Sequence, residues 1–570
     1  MVAKWMQMPT FWLLLAALCA AWWAGRQGPQ AWVVERAVME SAQAEMLGNG
    51  EDVFLDPEDS KLWGWAAQRL ESAPVVEHER VAARGDDGGM RYYELTARSH
   101  RGASSFLPAL VTILLCFLTR KPVASLFAGV VVGGLLLRGD VIAGGQTAPG
   151  GVSWLAALAV LFYLTCLGGL LGLWSRNGAA AEFAIWVTKR LVRGPRTAKL
   201  AAWGLGMAFF QGGSLSTLLV GTTVKPIADE ENISHEELAY VVDSTSSPVA
   251  VLLPFNAWPF YVQGLIFVGG VGVLATEAGR VGFFFSAVPL SFYAMLAVGF
   301  TFLLSIDRLP FIGRGFREAI RRARVTGQLD RPGARPMQSP MTRADAVQPG
   351  YRPAAWEFPV PLVVIIAIAV GTFVLTGAPA LAWAFGAGVA VAYVASAMRG
   401  MPWRGLLAGC KAGIVMVAYA AAILVLAVAI GAISRATGGG LFLVELLDGR
   451  LAHWCLPLFL FLASGVIALA TGSSWGTFAV VFPLAMPLAW SVAEGQGLAH
   501  PVFFLKICFA AVLNGGVFGD QCSPISDTSV LSSLATGCDL MDHIRTQIVP
   551  CLVAGGLAVI GWTVLAVFSP

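Results

Sequence analysis

The stretch AVLNGGVFGDQCSPISDTSVLSS, residues 511–533, predicts a helix that is interrupted at membrane depth. Apolar sequence lies on both sides of it, and its polar residues surround Ser523-Pro524. Proline has no N–H and breaks a helix, which frees backbone carbonyls nearby. Irregular backbone within a bilayer is tolerated only where protein buries it or where it lines a wet cavity. The carbonyls, hydroxyls and carboxylates of this stretch therefore predict an oxygen-rich site, which is what a hard cation needs.

Composition places the chain among helical membrane proteins. It has 570 residues, of which 56% are hydrophobic and 13% are charged. A soluble domain carries roughly 25% charged residues, and many apolar runs here are long enough to span a bilayer. The basic residues fall in loops between these runs, so the net charge of +3 predicts no nucleic-acid partner. Nine cysteines without a CxxC pair predict neither a disulfide framework nor a zinc site.

The first 105 residues differ in character from the rest. Residues 1–25 pair Lys4 with an apolar stretch, which is typical of a signal peptide or an N-terminal anchor. Residues 26–105 are polar and contain no spanning run, so they predict an external segment, in which RYYELTAR at 91–98 predicts a strand. No catalytic constellation is visible in this segment, and we expect it to be a structural or docking appendage.

The remaining sequence predicts two halves, residues 106–306 and 358–570, joined by an Arg-rich linker at 307–357. The arginines predict that the linker is cytoplasmic, and its prolines and glycines predict a flexible chain. Each half contains spanning runs, an amphipathic piece, a hairpin candidate and a broken span. We expect the two amphipathic pieces, at 176–199 and 435–451, to lie along the membrane interface.

The number of crossings sets the relative orientation of the halves. We expect the chain to be cytoplasmic at Arg196 and at Arg308, so it must cross an even number of times between them. Two spans follow residue 238, and the segment 200–226 must therefore enter and leave on one side as a re-entrant hairpin. Three crossings after the linker place the second hairpin, at 455–490, on the opposite side. The predicted fold class is an all-α polytopic membrane protein with two inverted-topology repeats.

Short motifs recur at corresponding places in the two halves. The first hairpin tip, QGGSLST at 211–217, shares the spacing of its Gly, Ser and Thr with the second, TGSSWGT at 471–477. An Asp followed by Ser-Pro occurs in both broken spans, at 243–248 and 520–524. Interrupted hydrophobic segments in both halves are a pointer to the central site of a transporter. We expect these four segments to meet halfway through the membrane.

Carboxylates in apolar surroundings are the main functional candidates. An aspartate at the centre of a spanning helix costs about 2.5–3.5 kcal/mol on insertion scales, so each needs a compensating role. Sodium requires an ionised carboxylate, whereas desolvation favours the protonated form, so competition between Na⁺ and H⁺ is a ready exchange mechanism. We expect Asp243, Asp520 and Asp527 to be Na⁺ ligands, with capping of half-helices as the alternative. The full predicted set for ion or substrate binding is Asp243, Ser244, Thr245, Ser247, Ser214, Thr217, Ser474, Thr477, Asn514, Asp520, Ser523, Ser526, Asp527 and Thr528.

Other residues are expected to be structural. Lys225, Lys411 and Lys506 border spans and should extend to the interface, although Lys411 could hold a negative group instead. His543 is expected to be a cytoplasmic end residue, with a pH sensor as the alternative. Residues 472–476 satisfy G-x-S-x-G, but a nucleophile elbow needs a strand before it and a helix after it. We therefore expect no enzyme. An ion channel, which would need an open pore, is an alternative from another class.

These residues resemble the NhaC-type Na⁺/H⁺ antiporter family. GDQCSPISDTSVLSS at 519–533 resembles its C-terminal hallmark, and DSTSSPVAVLLPFNAW at 243–258 resembles the counterpart in the first half. Residues 106–137 are similar to its opening pair of helices. The resemblance implies inverted repeats, paired hairpins and broken helices. It also implies a site lined by Asp243, Ser244, Thr245, Ser247, Asp520, Ser523, Ser526, Asp527 and Thr528. Gln521 stands where many members have histidine.

Residues and resemblance together predict a secondary transporter of the cytoplasmic membrane that exchanges Na⁺ for H⁺ by alternating access. The alternative is a Na⁺- or H⁺-coupled carrier or exchanger of a small organic acid or amino acid, because the family includes such exchangers and helix N-termini also suit a carboxylate. No cofactor is expected besides the transported ions, and the expected partners are membrane lipid and the cargo. Interfacial helices can serve as dimer contacts, which leaves a homodimer open.

Overall fold

The computed structural model describes residues 9–27, 31–39, 53–55, 78–84, 90–119, 122–137, 154–210, 213–256, 258–266, 268, 271–337, 348–376, 380–438, 442 and 452–568. The chain divides into two compact units. The first unit comprises Met1–Thr112, Phe127–Ala148 and Ile430–Arg450. The second comprises Ile113–Leu126, Pro149–Ala429 and Leu451–Pro570, and it holds every residue of the candidate site.

The first unit contains an apolar helix and a four-stranded sheet. Helix α1 is Pro9–Gln27, and the strands are β1 Ala31–Met39, β2 Val53–Leu55, β3 His78–Arg84 and β4 Met90–His100. The strand order is β1-β4-β3-β2, in which β4 is antiparallel to β1 and to β3, and β2 is parallel to β3. Strand β4 confirms the strand that the sequence predicts at 91–98.

The first predicted half begins with helices that follow the apolar runs. They are α2 Leu107–Thr119, α3 Pro122–Leu136, α4 Trp154–Asn177, α5 Ala179–Leu191, α6 Pro195–Ala208 and α7 Gly213–Glu230. The predicted interfacial segment thus becomes α5 and the start of α6, which opens with a proline in the first turn, where its missing N–H costs nothing. The helical chain is interrupted between Ala208 and Gly213, at the first predicted hairpin tip.

The broken span of this half is interrupted where its sequence predicts. Helix α8, His235–Ser244, begins at a capping box in which Ser234 and Glu237 satisfy each other's backbone N–H groups. It stops at Ser244, and α9, Ser247–Leu252, starts with Pro248 in its first turn. The next helices are α10 Trp258–Gln263, α11 Gly272–Ala275, α12 Glu277–Ala287 and α13 Phe292–Ser305. The second of the two spans that the sequence predicts after residue 238, at about 281–305, is bent by 50° at a 3₁₀ turn, Val288–Leu290, because Pro289 cannot continue the helix.

The described residues of the linker form a helix and fixed contacts, which corrects the prediction of a flexible chain for this part of it. Residues Gly313–Thr326 form helix α14, which buries Phe316, Ala319 and Ala323 at helical spacing. Arg322, on this helix, holds both carboxylate oxygens of Glu236 at 2.9 Å. Arg331 lies 3.0 and 3.1 Å from the carboxylate oxygens of Asp542. The described part of the linker therefore packs on the transmembrane helices, and Arg322 and Arg331 are paired with acidic residues of those helices.

The second predicted half repeats the pattern of interruptions. Its helices are α15 Pro359–Thr376, α16 Leu381–Met398, α17 Trp403–Thr437, α18 Leu456–Thr471, α19 Ser474–Gly495, α20 Pro501–Cys522, α21 Asp527–Thr536 and α22 Leu540–Phe568. Gly472 ends α18 in the left-handed region, at φ 65°, and Ser473 caps α19. Residues 523–526 separate α20 from α21. The predicted interfacial piece at 435–451 lies mostly outside the described residues.

Among the residues that the structure describes, five helices are long and apolar enough to cross a membrane, or up to six if the bent pair α12–α13 is one span. The five are Ala355–Leu375, His453–Thr471, Ser474–Gly495, Pro501–Cys522 and Leu540–Phe568. The membrane portion is all-α, and the protein is a multi-pass membrane protein, as predicted. The inverted orientation of the halves and the domain boundaries stay predictions.

Helices α18 and α20 pack against each other through small residues. A Cβ atom added to Gly519 would lie 2.1 Å from the carbonyl oxygen of Gly465 and 2.8 Å from the Cβ of Ala468. A Cβ added to Gly515 would lie 2.4 Å from the carbonyl oxygen of Phe461. The backbones approach this closely only because these positions are glycine. The crossing places the last turn of α20, which carries Asp520, against α18.

Gly519→Ala is expected to destabilise the protein by about 1–3 kcal/mol, because the overlap is with backbone and the two helices must separate. The thermal midpoint of purified protein in detergent measures the effect. Gly556→Ala, on α22, is the matched control, since its added Cβ would meet no atom within 4 Å. Equal midpoints for the two variants would contradict the close crossing.

Candidate functional site

Asp520 lies in the last turn of α20 and is only 3% exposed. Its Oδ1 accepts a hydrogen bond from the Ser526 hydroxyl at 2.7 Å. Its Oδ2 accepts from the Ser474 hydroxyl at 3.0 Å and, at the limit of hydrogen bonding, from Ser247 at 3.5 Å. We call these four residues the Asp520 cluster. The cluster brings hydroxyls from the second broken span, the second hairpin tip and the first broken span to the carboxylate of Asp520.

The three hydroxyls reach Asp520 because each stands at the start of a helix. Ser474 is the first residue of α19, Ser526 occupies the N-cap position of α21, and Ser247 is the first residue of α9. Helix N-termini carry partial positive charge, which stabilises a carboxylate placed near them. A hydroxyl donates one hydrogen and offers two lone pairs. The cluster can therefore either donate to a bare carboxylate or turn oxygen lone pairs toward a cation.

Asp243, in the last turn of α8, is fully buried in a second cluster. Its Oδ2 accepts hydrogen bonds from the Ser529 hydroxyl at 3.0 Å, from Gln547 Nε2 at 3.0 Å and from His543 Nε2 at 3.3 Å. Ser529 belongs to α21, whereas His543 and Gln547 lie one turn apart on α22. We call Asp243, Ser529, His543 and Gln547 the Asp243 cluster. Two of the three side-chain donors to Asp243 are nitrogens, whereas all three donors to Asp520 are hydroxyls.

Gln521 connects the two clusters. Its Nε2 donates to the Ser244 hydroxyl at 2.9 Å, and its Oε1 accepts from the Tyr293 hydroxyl at 2.6 Å. Its backbone carbonyl accepts from Ser529 at 3.4 Å and from Gln547. Because every polar group of the Gln521 side chain faces a partner, the residue holds α8, α13 and α20 in register instead of facing cargo.

Several predicted site residues form structural hydrogen bonds instead of meeting either carboxylate. Asn514 donates to the Ala510 carbonyl at 2.8 Å and accepts from the Ala294 N–H at 3.0 Å, which braces α20 against α13. Three hydroxyls donate to backbone carbonyls, namely Thr245 to Val241 at 2.7 Å, Thr477 to Ser473 at 2.9 Å and Ser523 to Leu469 at 2.7 Å. These residues shape the breaks that present Asp243 and Asp520.

The remaining predicted residues differ in their placement. Thr528 Oγ1 lies 3.1 Å from the Ser526 hydroxyl, so it supports the Asp520 cluster. Asp527 is exposed in the first turn of α21, where a carboxylate suits the helix N-terminus. Thr217 is fully buried in α7. Ser214 falls within α7, but its side chain lies outside the described residues.

The sequence interpretation missed the side chains that surround Asp243. His543 was expected to be a cytoplasmic end residue; it lies in the first turn of α22, but the structure buries it completely against Asp243. Gln547 and Ser529 were not singled out at all. The available signal was spacing, because His543 and Gln547 are four residues apart and must share one face of α22.

A charge network around one buried lysine joins α6, α8 and the end of α13. The Lys199 ammonium is fully buried, 3.1 Å from Glu237 Oε1 and 2.6 Å from Asp307 Oδ1, and it donates to the Leu304 carbonyl at 3.0 Å. Burial raises the pKa of Asp307, but hydrogen bonds from Lys199 and Arg196 outweigh it and hold that pKa below its usual value. The network therefore fixes the start of α8, the helix whose last turn carries Asp243.

His235, at the start of α8, joins the end of α7 to the linker. Its Nδ1 lies 2.8 Å from Asp330 Oδ1, and its Nε2 lies 3.1 Å from Asp229 Oδ1. Burial lowers the pKa of His235, but the two carboxylates outweigh it and raise that pKa above its usual value. Lys225, which was expected to extend to the interface, lies 2.9 Å from Asp229 Oδ2 and 2.9 Å from His235 Nε2.

Carboxylates buried where interrupted helices from both halves meet define the class of secondary transporters. Residues 249–567, which are more than half of the chain, match the Na⁺/H⁺ antiporter family, and the protein belongs to that family. The resemblance noted from the motifs is confirmed at this level. Helix α18 precedes residues 472–476 and Ser474 begins α19, so these residues lack the preceding strand of a nucleophile elbow.

Curated relatives differ in how much of the chain they match. An uncharacterised protein of Haemophilus influenzae is 29% identical over 500 residues, which cover 80% of this chain and 91% of that protein. A malate-2H⁺/Na⁺-lactate antiporter of Bacillus subtilis is 35% identical over 100 residues, 18% of this chain and 19% of its own. An arginine/ornithine antiporter of Halobacterium salinarum is 34% identical over 108 residues, 19% of this chain and 20% of its own. The named relatives are thus antiporters with different cargoes.

Proposed function

We propose that this transporter exchanges Na⁺ for H⁺ across the cytoplasmic membrane and that both ions use the Asp520 carboxylate. The carrying observation is that Asp520 is buried with both of its oxygens held by hydroxyls. Hard cations such as sodium prefer oxygen ligands. An ionised carboxylate with Na⁺ and a protonated carboxyl are both neutral, and a site buried among apolar helices needs one or the other. Entry of one ion therefore releases the other.

The Asp520 cluster draws its residues from both halves of the chain, and this supports alternating access. Ser247 belongs to the first half, whereas Ser474, Asp520 and Ser526 belong to the second, so relative movement of the halves would change the coordination. Interrupted helices that meet between repeats are a common construction in such transporters. Exchange of Na⁺ for H⁺ then needs no cofactor, only the transported ions.

A carrier of a small organic acid or amino acid is the second candidate. Its support is the similarity, over roughly a fifth of the chain, to antiporters named for malate, lactate, arginine and ornithine. The helix N-termini that surround Asp520 would also suit a cargo carboxylate.

Purified protein in proteoliposomes that contain a pH-sensitive dye distinguishes the two candidates. With an acidic interior, external Na⁺ alone is expected to raise the internal pH, whereas K⁺ or choline should not. Empty liposomes control for leakage. If the internal pH responds only when malate, lactate, arginine or ornithine is also present, the organic-solute carrier replaces the proposal. A steady sodium current without proton movement would favour a channel.

A further inference from the structure

Tyr261, on α10, donates a hydrogen bond to the carbonyl oxygen of Trp475, in the first turn of α19, at 2.5 Å. Tyr261 is only 2% exposed, and the centroids of the two rings lie 4.6 Å apart. The two residues are 214 positions apart in the sequence and belong to different predicted halves. The contact therefore connects the halves at the second hairpin tip, next to Ser474 of the Asp520 cluster.

Further aromatic contacts hold the same turn of α19. Trp258, three residues before Tyr261 on α10, packs edge to face on Trp475 and on Phe478, with centroid distances of 6.1 and 5.4 Å. Phe478 also lies against α20, because a Cβ atom added to Gly516 would lie 2.4 Å from its ring. Aromatic pairs prefer particular geometries, so they orient the elements that carry them. The first turn of α19 is thus held between α10 and α20.

The position of this turn decides which acceptor receives the hydrogen of Ser474. The Ser474 hydroxyl lies 3.0 Å from Asp520 Oδ2 and 3.3 Å from the carbonyl oxygen of Gly516. A hydroxyl has one hydrogen and two lone pairs, so a hydroxyl that donates to Gly516 keeps its lone pairs for a cation at Asp520. Both contacts are longer than the usual hydroxyl hydrogen bond of about 2.8 Å, so a small displacement of the turn changes which acceptor is favoured.

We propose that Tyr261 is a positioning residue for the Asp520 cluster. It holds the first turn of α19 where Ser474 can turn its hydrogen from Asp520 to the Gly516 carbonyl and coordinate sodium. The inference rests on the proposed function and adds to it a residue of α10 that acts through Ser474. Because Tyr261 lies in the first predicted half, the same hydrogen bond makes sodium coordination depend on the relative position of the two halves.

Tyr261→Phe tests the proposal, because it removes the hydroxyl and keeps the ring. In the proteoliposome assay with the full-length protein, the sodium concentration for half-maximal proton movement is expected to rise roughly three- to tenfold, in line with the loss of one hydrogen bond. The maximal rate should stay close to that of wild type, since saturating sodium fills the Asp520 site in both proteins. The thermal midpoint reports whether the variant is folded.

Tyr393→Phe is the matched control, because the Tyr393 hydroxyl also donates to a backbone carbonyl of another helix. It joins α16 to Gly169 of α4 at 3.2 Å, and its loss should leave the sodium dependence unchanged. Wild-type sodium dependence in folded Tyr261→Phe, or a fall in the maximal rate alone, would overturn the proposal. Trp258→Phe, which shrinks a ring that packs on the same turn, carries the same test if Tyr261→Phe does not fold.

A double-mutant cycle separates positioning of Ser474 from general packing. If Tyr261 acts through Ser474, adding Tyr261→Phe to Ser474→Ala should not raise the half-maximal sodium concentration further. A further rise by the same factor would show that the two residues act independently, which contradicts the proposal. If Ser474→Ala shows no exchange, Tyr261→Phe alone decides. Failure of the proposed function is a different result, because wild type itself would then show no sodium-driven proton movement, and the inference would fall with it.

Discussion

Asp520→Asn is expected to abolish sodium-driven proton movement while the protein stays folded. Asparagine has the same shape and keeps one acceptor for the Ser526 or Ser474 hydroxyl. It can neither carry the exchanged proton nor supply the negative charge that balances Na⁺. Because both ions use this carboxylate in the proposed mechanism, the rate of sodium-driven proton movement should fall to that of empty liposomes.

The dye-loaded proteoliposomes measure this loss. Glu318→Gln makes the same chemical change at an exposed carboxylate and should exchange at the wild-type rate. A thermal midpoint of Asp520→Asn close to that of wild type would show that lost exchange is not lost folding. Wild-type exchange in Asp520→Asn would remove this carboxylate from the proposed mechanism.

Lys199→Met is expected to cost about 3–5 kcal/mol of folding free energy, because it leaves a buried charge without its partner. Glu237 is fully buried, and the next cation, Arg324, lies 3.9 Å from its Oε1. The expected result is a large fall in the thermal midpoint of the detergent-solubilised protein. Lys411→Met, at an exposed position on α17, is the control and should change the midpoint little.

A second substitution separates charge from packing at this position. In Lys199→Met/Glu237→Gln the carboxylate is neutralised, so part of the lost stability should return if the penalty comes from an unpaired charge. If the double variant is no more stable than Lys199→Met, the lysine acts through its packing. A single variant as stable as Lys411→Met would contradict the buried network.

The interruptions of the helices could be predicted from sequence because they have local causes. Pro248 and Pro524 end helices through a missing N–H, and Gly472 adopts a left-handed conformation that other residues avoid. These effects act over a few residues, so a single sequence suffices to place them. The meeting of the two broken spans was also predictable, because both carry an aspartate beside a Ser-Pro break in apolar surroundings.

The partners of each carboxylate could not be predicted, because they depend on how distant helices are rotated. Asp243 and His543 are 300 residues apart along the chain, and their contact requires α8 and α22 to face each other. Asp520 and Asp527 look equivalent in sequence. Only the structure separates them, burying the first and exposing the second. The burial of Lys199 likewise depends on partners from separate segments.

The ordered linker changes what the chain between the two halves contributes. Arg331 pairs with Asp542 on α22. His543, which follows Asp542, contacts Asp243 in the last turn of α8. Arg322 pairs with Glu236 in the first turn of the same helix. The linker is therefore connected to α22 through Arg331 and to α8 through Arg322. A rotation of α22 that repositions His543 also moves Asp542, the carboxylate that Arg331 contacts. The segment between the two halves is therefore bound to the helices around Asp243 at two places and does more than join the halves.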